Sequence, residues 1–327
     1  MYLNCMYELT LTLDAEKFDK LLKRLKSRGN YERLRSEDKY IDSILVSKGL
    51  TITYHDKQYK KKVKLSVNSN AMLDGDQLNR DNARDLVRIL TKFIERYFNY
   101  KYKLNDFRLS RMILITDIDF HDREKLSDYL KVLQRIGKVK GFSPPKHNWL
   151  DNDLSFCLEG NSNGVEFLAY DLERLLQESE HKSKQLKSIA KKAEGLLRVE
   201  IRLTKPKAIR HYADEAFTTG QVIELSGIGK KIFKDTLTRI IPFGDFHKKD
   251  NAEEIICGKV KDVRIRRRML RLLDLIPEKK SLHLAQKALN SRRIDDVMDM
   301  FSEIELSPIT ISKRHNVKKL KNIYSYM

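Results

Sequence analysis

Apolar and polar residues alternate through residues 6–13, Met-Tyr-Glu-Leu-Thr-Leu-Thr-Leu, placing Leu9, Leu11 and Leu13 on one face of a predicted strand. Asp14 stands where an N-cap belongs, ahead of a helix whose Phe18, Leu21, Leu22 and Leu25 share one side and which ends near Gly29. Residues 50–54 and 62–67 predict a hairpin with Val63, Leu65 and Val67 inward and Lys62, Lys64 and Ser66 outward. Leu86, Ile89, Leu90, Phe93, Ile94 and Tyr97 recur at helical spacing and make 82–98 an amphipathic helix. The order then repeats. A long apolar strand at 109–119 precedes a helix at 123–136 with Leu126, Leu130, Leu133 and Ile136 on one side. Short strands at 154–158 and 164–170, a basic helix at 171–193 and a strand at 196–203 follow. Each half holds strand–helix–strand–strand–helix. That predicts an α+β fold: two related split β-α-β units around a shared, mainly antiparallel sheet.

After Thr204-Lys205-Pro206 the pattern turns helical, so the chain divides into a region 1–205 and a helical C-terminal region 206–327. Lys259 to Arg271 holds seven basic residues and one acid, Asp262. Helical phase gathers Ile265, Met269, Leu272 and Leu273, while much of the basic set, with Arg264, Arg266, Arg267 and Arg268, faces outward. Further on, a helix at 294–304 runs into Leu306-Ser307-Pro308. Ser307 as N-cap and Pro308 at the first helical position predict another helix over 308–324, carrying Lys313, Arg314 and Lys318. Helix, short turn and basic helix read as a helix-turn-helix-like DNA-binding element; a solvated face on a packing helix is the plainer alternative.

Composition sharpens the choice of partner. Lys and Arg number 65 against 46 Asp and Glu, a net charge of +19 that calls for a polyanion, with nucleic acid ahead of an anionic membrane surface or a merely basic exterior. Hydrophobic residues at 41% suffice for a core and argue against wholesale disorder. No apolar run reaches the roughly 18 residues of a membrane span. The start, MYLNCMYELTLTL, lacks the basic n-region of a signal peptide. Cys5, Cys157 and Cys257 are odd in number, far apart and outside CxxC spacing, which fits a reducing, cytoplasmic setting and no zinc ribbon.

Gly227-Ile228-Gly229-Lys230-Lys231 lacks the upstream glycine and the Ser/Thr of a P-loop, and no HExxH occurs. The eight histidines never form a His-hydrophobic-His pair, so nuclease chemistry would fall to carboxylates. In strand 109–119, Arg111, Ile113, Ile115, Asp117 and Asp119 share one face; two acids ending an apolar strand are hard to explain as core. In strand 196–203, Arg198, Glu200 and Arg202 share a face. These are either solvated ladders or, if covered, a site in which Glu200 with Asp117 or Asp119 holds a divalent ion through oxygen ligands. Tyr170 ends the strand 164–170. It is either a packing residue or a nucleophile, and as a phenol with pKa near 10 it needs a metal or a base to activate it.

Three segments together resemble a known pattern: Leu109-Ser110-Arg111 with Asp117-Ile118-Asp119; Gly160-Asn161-Ser162-Asn163-Gly164-Val165-Glu166-Phe167 with Tyr170-Asp171; and Gly195-Leu196-Leu197-Arg198-Val199-Glu200-Ile201-Arg202-Leu203. They resemble the rolling-circle replication initiators of plasmids and phages of low-GC Gram-positive bacteria, related to filamentous-phage replication proteins. The resemblance implies a metal-dependent tyrosine nickase. Tyr170 would be the nucleophile; Asp117 or Asp119 with Glu200 would hold Mg²⁺ or Mn²⁺; Arg198 and Arg111 would orient phosphate. It also implies origin duplex and single-stranded DNA as ligands, a host helicase and polymerase as partners, and room for a homodimer. Where the family carries an Asp this chain has Ile113, so a non-cutting origin or operator DNA-binding protein of the same fold is the alternative.

Overall fold

The computed structural model describes all residues except 1–2, 30, 35–37, 43–47, 58–59, 77, 147–153, 179–189, 291–292 and 327. Its centre is a ten-stranded antiparallel sheet among the described residues. The first half contributes β1 (Asn4–Leu13), β2 (Tyr31–Leu34), β3 (Lys39–Asp42), β4 (Leu50–Lys57) and β5 (Lys60–Asn68). The second contributes β6 (Arg108–Asp119), β7 (Phe142–Ser143), β8 (Ser155–Gly160), β9 (Val165–Asp171) and β10 (Leu196–Leu203). From the central β1–β6 pair outward, the halves read β1-β5-β4-β3-β2 and β6-β10-β9-β8-β7. The two sequences of moves are the same. In each half a first strand and a fourth run parallel with the fifth between them, the split β-α-β arrangement.

The structure thus has the two related units read from the sequence, with a changed correspondence. The hairpin β4–β5 matches β9–β10, not β8–β9. Residues 172–195, with helix α5 (Leu172–Glu178), interrupt the link between β9 and β10, and a helix in that place looks like the end of a unit. The rest of the expected helix 171–193 falls largely outside the described residues. Strands β2 and β3 went unread because four residues with mixed charge give too little alternation to register.

Helices cover one face of the sheet. Asp14 caps α1 (Ala15–Ser27) by accepting from the Lys17 N–H, and Phe18 packs edge-on against Tyr54 of β4. Tyr97 of α3 (Arg80–Tyr97) meets the same Tyr54 hydroxyl at 3.1 Å. On the second half, Tyr129 of α4 (Arg123–Gln134) stacks on Phe120. A short α2 (Ser69–Met72) caps β5, and α6 (Pro206–Tyr212) follows β10. Helix α7 (Thr218–Ile240) lies on the central strands, where Ser226 meets the Tyr7 hydroxyl at 2.7 Å. A Cβ at Gly229 would stand 3.3 Å from Leu114, so this glycine of the Gly-Ile-Gly-Lys run lets the helix ride close to the sheet. No described helix is long and apolar enough to cross a membrane.

Beyond α7 come α8 (Lys249–Lys259), α9 (Val263–Lys279), α10 (Leu282–Leu289) and α11 (Ile294–Glu303). They share one apolar core with the sheet, running from Leu3 through Tyr7 and Leu114 to Phe233, Leu272 and Ile323. The Arg135 guanidinium donates to the Thr310 carbonyl at 2.7 Å, and His315 meets Asp128 at 2.5 Å.

The expected helix over 308–324 is not there. The Ser307 hydroxyl accepts from the Ile309 N–H two residues on, closing a turn and not a helix N-terminus. Ile309, Thr310 and Ile311 are β-branched and buried, and the Ser307 and Ile311 N–H groups donate to the Asp245 and His247 carbonyls. A two-stranded ribbon of Phe246–His247 and Lys319–Leu320 completes the segment. Lys313, Arg314 and Lys318 therefore sit exposed on irregular chain, and the helix-turn-helix reading fails.

Candidate active site

The middle strand of the site is β10. Strand period and register put Arg198 directly opposite Asp117 of β6 on one side and Tyr170 of β9 on the other. Glu200, two residues on, shares that face. Gly195, with φ at +72°, turns the chain into β10 where a Cβ would stand 3.1 Å from the Asp122 backbone nitrogen.

Asp117, Arg198, Glu200 and Arg202 on this face are each paired. Arg198 grips Asp117 with two parallel bonds, Nε to Oδ1 at 2.7 Å and Nη2 to Oδ2 at 2.8 Å. Burial works against the guanidinium's charge, but the Asp117 hydrogen bonds and charge outweigh it and hold Arg198 above its ordinary range. The Tyr170 hydroxyl donates to Glu200 Oε1 at 2.5 Å. Both side chains are deep, Tyr170 at 3% and Glu200 at 5% exposure. Burial, reinforced by the Glu200 charge, pushes the phenol above its ordinary value, so at rest the proton stays on Tyr170. Glu200 Oε2 in turn accepts from Arg202 Nε at 2.7 Å.

The burial comes from α5 and the turn before β10. Leu168, Tyr170, Leu172 and Ala193 form a small apolar cluster of their own, with Cys157, Leu175, Leu176 and Leu196 against it. Helix α5 packs here against β9 and β10, and it dries the hydroxyl–carboxylate pair.

Other expected members lie elsewhere. Asp119 shares the face but ends the strand as a turn cap, accepting from the His121 N–H at 2.7 Å and meeting the imidazole at 2.9 Å. Arg111 pairs with Glu8 at 3.2 Å. It lies six residues back along β6 from Asp117, about 20 Å away at 3.3 Å per residue, so it is not part of this site. Ile113 lies opposite Arg202 of β10. The sequence reading placed Arg202 on this face without giving it a role; the alternation 198/200/202 was the signal that it would reach Glu200.

A divalent ion wants several oxygens converging on one point. Asp117 is taken by Arg198, Asp119 by the His121 turn, and Glu200 by Tyr170 and Arg202. Among the described residues no group of three His, Cys, Asp or Glu side chains is placed to hold a metal. The acids as arranged do not fit Mg²⁺ or Mn²⁺.

The basic helix α9 forms as expected, N-capped by Asp262 through the Arg264 and Ile265 N–H groups. Arg264 and Arg267 are exposed on it, and Arg266 and Arg268 half-buried.

No family model matches the chain, and no curated protein matches it. Among solved structures the chain is similar to a rolling circle replication initiator protein from Geobacillus stearothermophilus, at 12% identity over 73% of this chain and 85% of that one, with a TM-score of 0.36. The chemistry of this chain rests on its own side chains.

Proposed function

We propose that this chain nicks and rejoins DNA to initiate rolling-circle replication, with Tyr170 as nucleophile. The observation that carries the reading is the buried Tyr170–Glu200 hydrogen bond beside Arg198. A phenol held neutral beside a carboxylate is a nucleophile with its base in place. As the Tyr170 oxygen attacks phosphorus in line, its proton passes to Glu200. The P–O3′ bond breaks, and the leaving 3′ oxygen takes up a proton. The 5′-phosphate stays on the tyrosine as an ester, and the free 3′-OH primes a host polymerase. Run backwards, the 3′-OH attacks the ester and the strand is rejoined, so no ATP is consumed. Arg198, across from Tyr170, is placed to offer charge to the phosphate oxygens.

The resemblance implies Mg²⁺ or Mn²⁺ here, an ion that would polarise the phosphate. The acids are paired otherwise, and none of these steps runs through it. Origin duplex recognition is assigned to Arg264, Arg266, Arg267 and Arg268 of α9, with Lys313, Arg314 and Lys318 as further phosphate contacts. A host helicase would supply unwinding.

A second reading, DNA binding without cleavage, draws on two observations: Tyr170 is covered, and an apolar Ile113 faces Arg202 where the family has an acid. One experiment separates them. A labelled single-stranded origin oligonucleotide is mixed with protein, with and without Mn²⁺, and run on a denaturing gel. Nicking gives a covalent adduct that Tyr170→Phe abolishes. The substitution keeps the ring and costs about 1 kcal/mol, one hydrogen bond, so DNA binding survives it. A normal adduct from the variant removes Tyr170 from the mechanism.

A further inference from the structure

The duplicated topology gives the catalytic row a counterpart in the first half. Across β8, β9, β10 and β6 the row is Ser155, Tyr170, Arg198, Asp117, each directly opposite the next. Across β3, β4, β5 and β1 there is a row Lys39, His55, Lys62, Thr12, again each opposite the next. The strand positions correspond. Lys39 and Ser155 each open their strand, His55 and Tyr170 are each sixth, and Lys62 and Arg198 each third. His55 thus occupies the nucleophile's place, and Lys62 that of Arg198.

The surroundings differ in sign. Burial first, and then the charges of Lys64, Lys39, Lys57 and Lys62, push the His55 imidazole down to about 4. Four ammonium groups around one imidazole repel each other, and like charges opposite one another weaken a sheet. The carboxylate among the neighbouring face positions of β1 and β5 is Glu8, 3.7 Å from Lys64 and already paired with Arg111. Thr10, Thr12, Thr53 and Ser66 fill the remaining positions with hydroxyls. No described helix crosses this part of the face, on which Lys39, His55, Lys62 and Lys64 are half-buried.

We propose that the Lys39–His55–Lys62–Thr12 row, with Lys57 and Lys64, is a second phosphodiester-binding site that holds single-stranded DNA without cutting it. The proposal rests on the nicking reading for the origin of the strand, since cleavage and unwinding expose one. A flexible strand can follow a flat pleated face of lysines and small hydroxyls, whereas a rigid duplex touches it along a line. The two rows lie at opposite corners of one open face. They are about 24 Å apart across five strand spacings, and Arg108, two residues from the Thr12 row, is about 30 Å along β6 from Asp117. A strand reaching both would be held well away from the nick while its end is on Tyr170.

The probe is a fluorescent oligothymidylate, titrated against the full chain over a range of salt, with a blunt duplex of equal length beside it. In Lys57→Gln/Lys62→Gln/Lys64→Gln the log–log salt slope for the single strand falls by about 2, at 0.7 per lost phosphate contact, and affinity at 0.1 M salt drops about a hundredfold. The melting temperature holds or rises, because repulsion has been removed. In the wild type the His55 resonance, assigned with His55→Gln, titrates at higher pH when the oligonucleotide is bound, because phosphates neutralise its lysines. An unchanged slope, or a loss confined to the duplex, overturns the site. Binding is read on a Tyr170→Phe background, so absence of the covalent adduct in the wild type would sink the nicking reading and leave this one standing.

Discussion

The two halves of the sheet follow one path through space and carry different chemistry, and the difference traces to a single connection. In the first half β4 runs into β5 almost at once, from Lys57 to Lys60. The row through His55 and Lys62 has no helical insertion beside it, and both residues are half-buried. In the second half the same connection holds residues 172–195, and α5 folds back over the row through Tyr170 and Arg198. The lysines of the first row keep their charge on a half-exposed face, Lys64 within 3.7 Å of Glu8; the buried Glu200 must be paired, because an unpaired charge costs several kcal/mol in a dry setting. Tyr170 and Arg202 engage Glu200 there, while the Arg198–Asp117 pair lies at the rim, its side chains 26% and 27% exposed. The covering helix turns a half-exposed polar surface into a place where a phenol and a carboxylate are hydrogen-bonded out of water.

The largest expected effect strips both halves at once. Residues 206–327 supply Val222, Leu225, Phe233 and Leu237 to the core beneath the central strands. A fragment ending at 205 exposes that apolar face and is expected to aggregate or to melt without a cooperative transition in circular dichroism. A soluble monomer with a sharp melt would make 205 an independent boundary and the shared core dispensable.

Next comes Glu200→Gln, which touches only the covered half. The proton acceptor is lost, and adduct formation in single-turnover assays falls by about 10²–10⁴. Arg202 loses its buried partner, so stability in urea falls by about 3 kcal/mol. The same loss of stability with undiminished adduct would leave Glu200 a purely structural partner.

The smallest effect belongs to the open half. His55 titrates near 4 when folded and near 6.5 when unfolded. The unfolded chain therefore binds the proton first, and stability present above pH 6.5 is lost as pH falls from about 6.5 toward 4. The melting temperature of the wild type should drop more steeply over that window than that of His55→Gln. Parallel curves would mean that His55 is not held neutral by its burial and its lysines.

Much of this was legible in the chain. The alternation in 109–119 and 196–203 set the faces of Asp117, Arg198 and Glu200, and β10 begins and ends at the residues read for it. Period gives the face of a strand but not its neighbours. The insertion before β10 hid which strands correspond, and Arg111 was grouped with acids that lie far along its own strand. The expectation of a helix after Ser307 followed local propensity, which buried Leu306 and Ile311 override by pairing with residues some sixty positions earlier. Which carboxylate an arginine takes is a matter of rotamers and burial, and Arg202's grip on Glu200 is of that kind.

The ribbon that joins Lys319–Leu320 to Phe246–His247 also sets a schedule for synthesis. Asn322 donates to the Pro242 and Gly244 carbonyls, and Tyr324 to that of Ile241, so this late stretch clamps the end of α7. On a ribosome adding about 5–20 residues per second, β10 is complete roughly 6–25 s before that clamp can close. During this interval the nascent sheet has Tyr170 and Glu200 but not its helical backing, and the proposed nicking activity should arrive late and all at once.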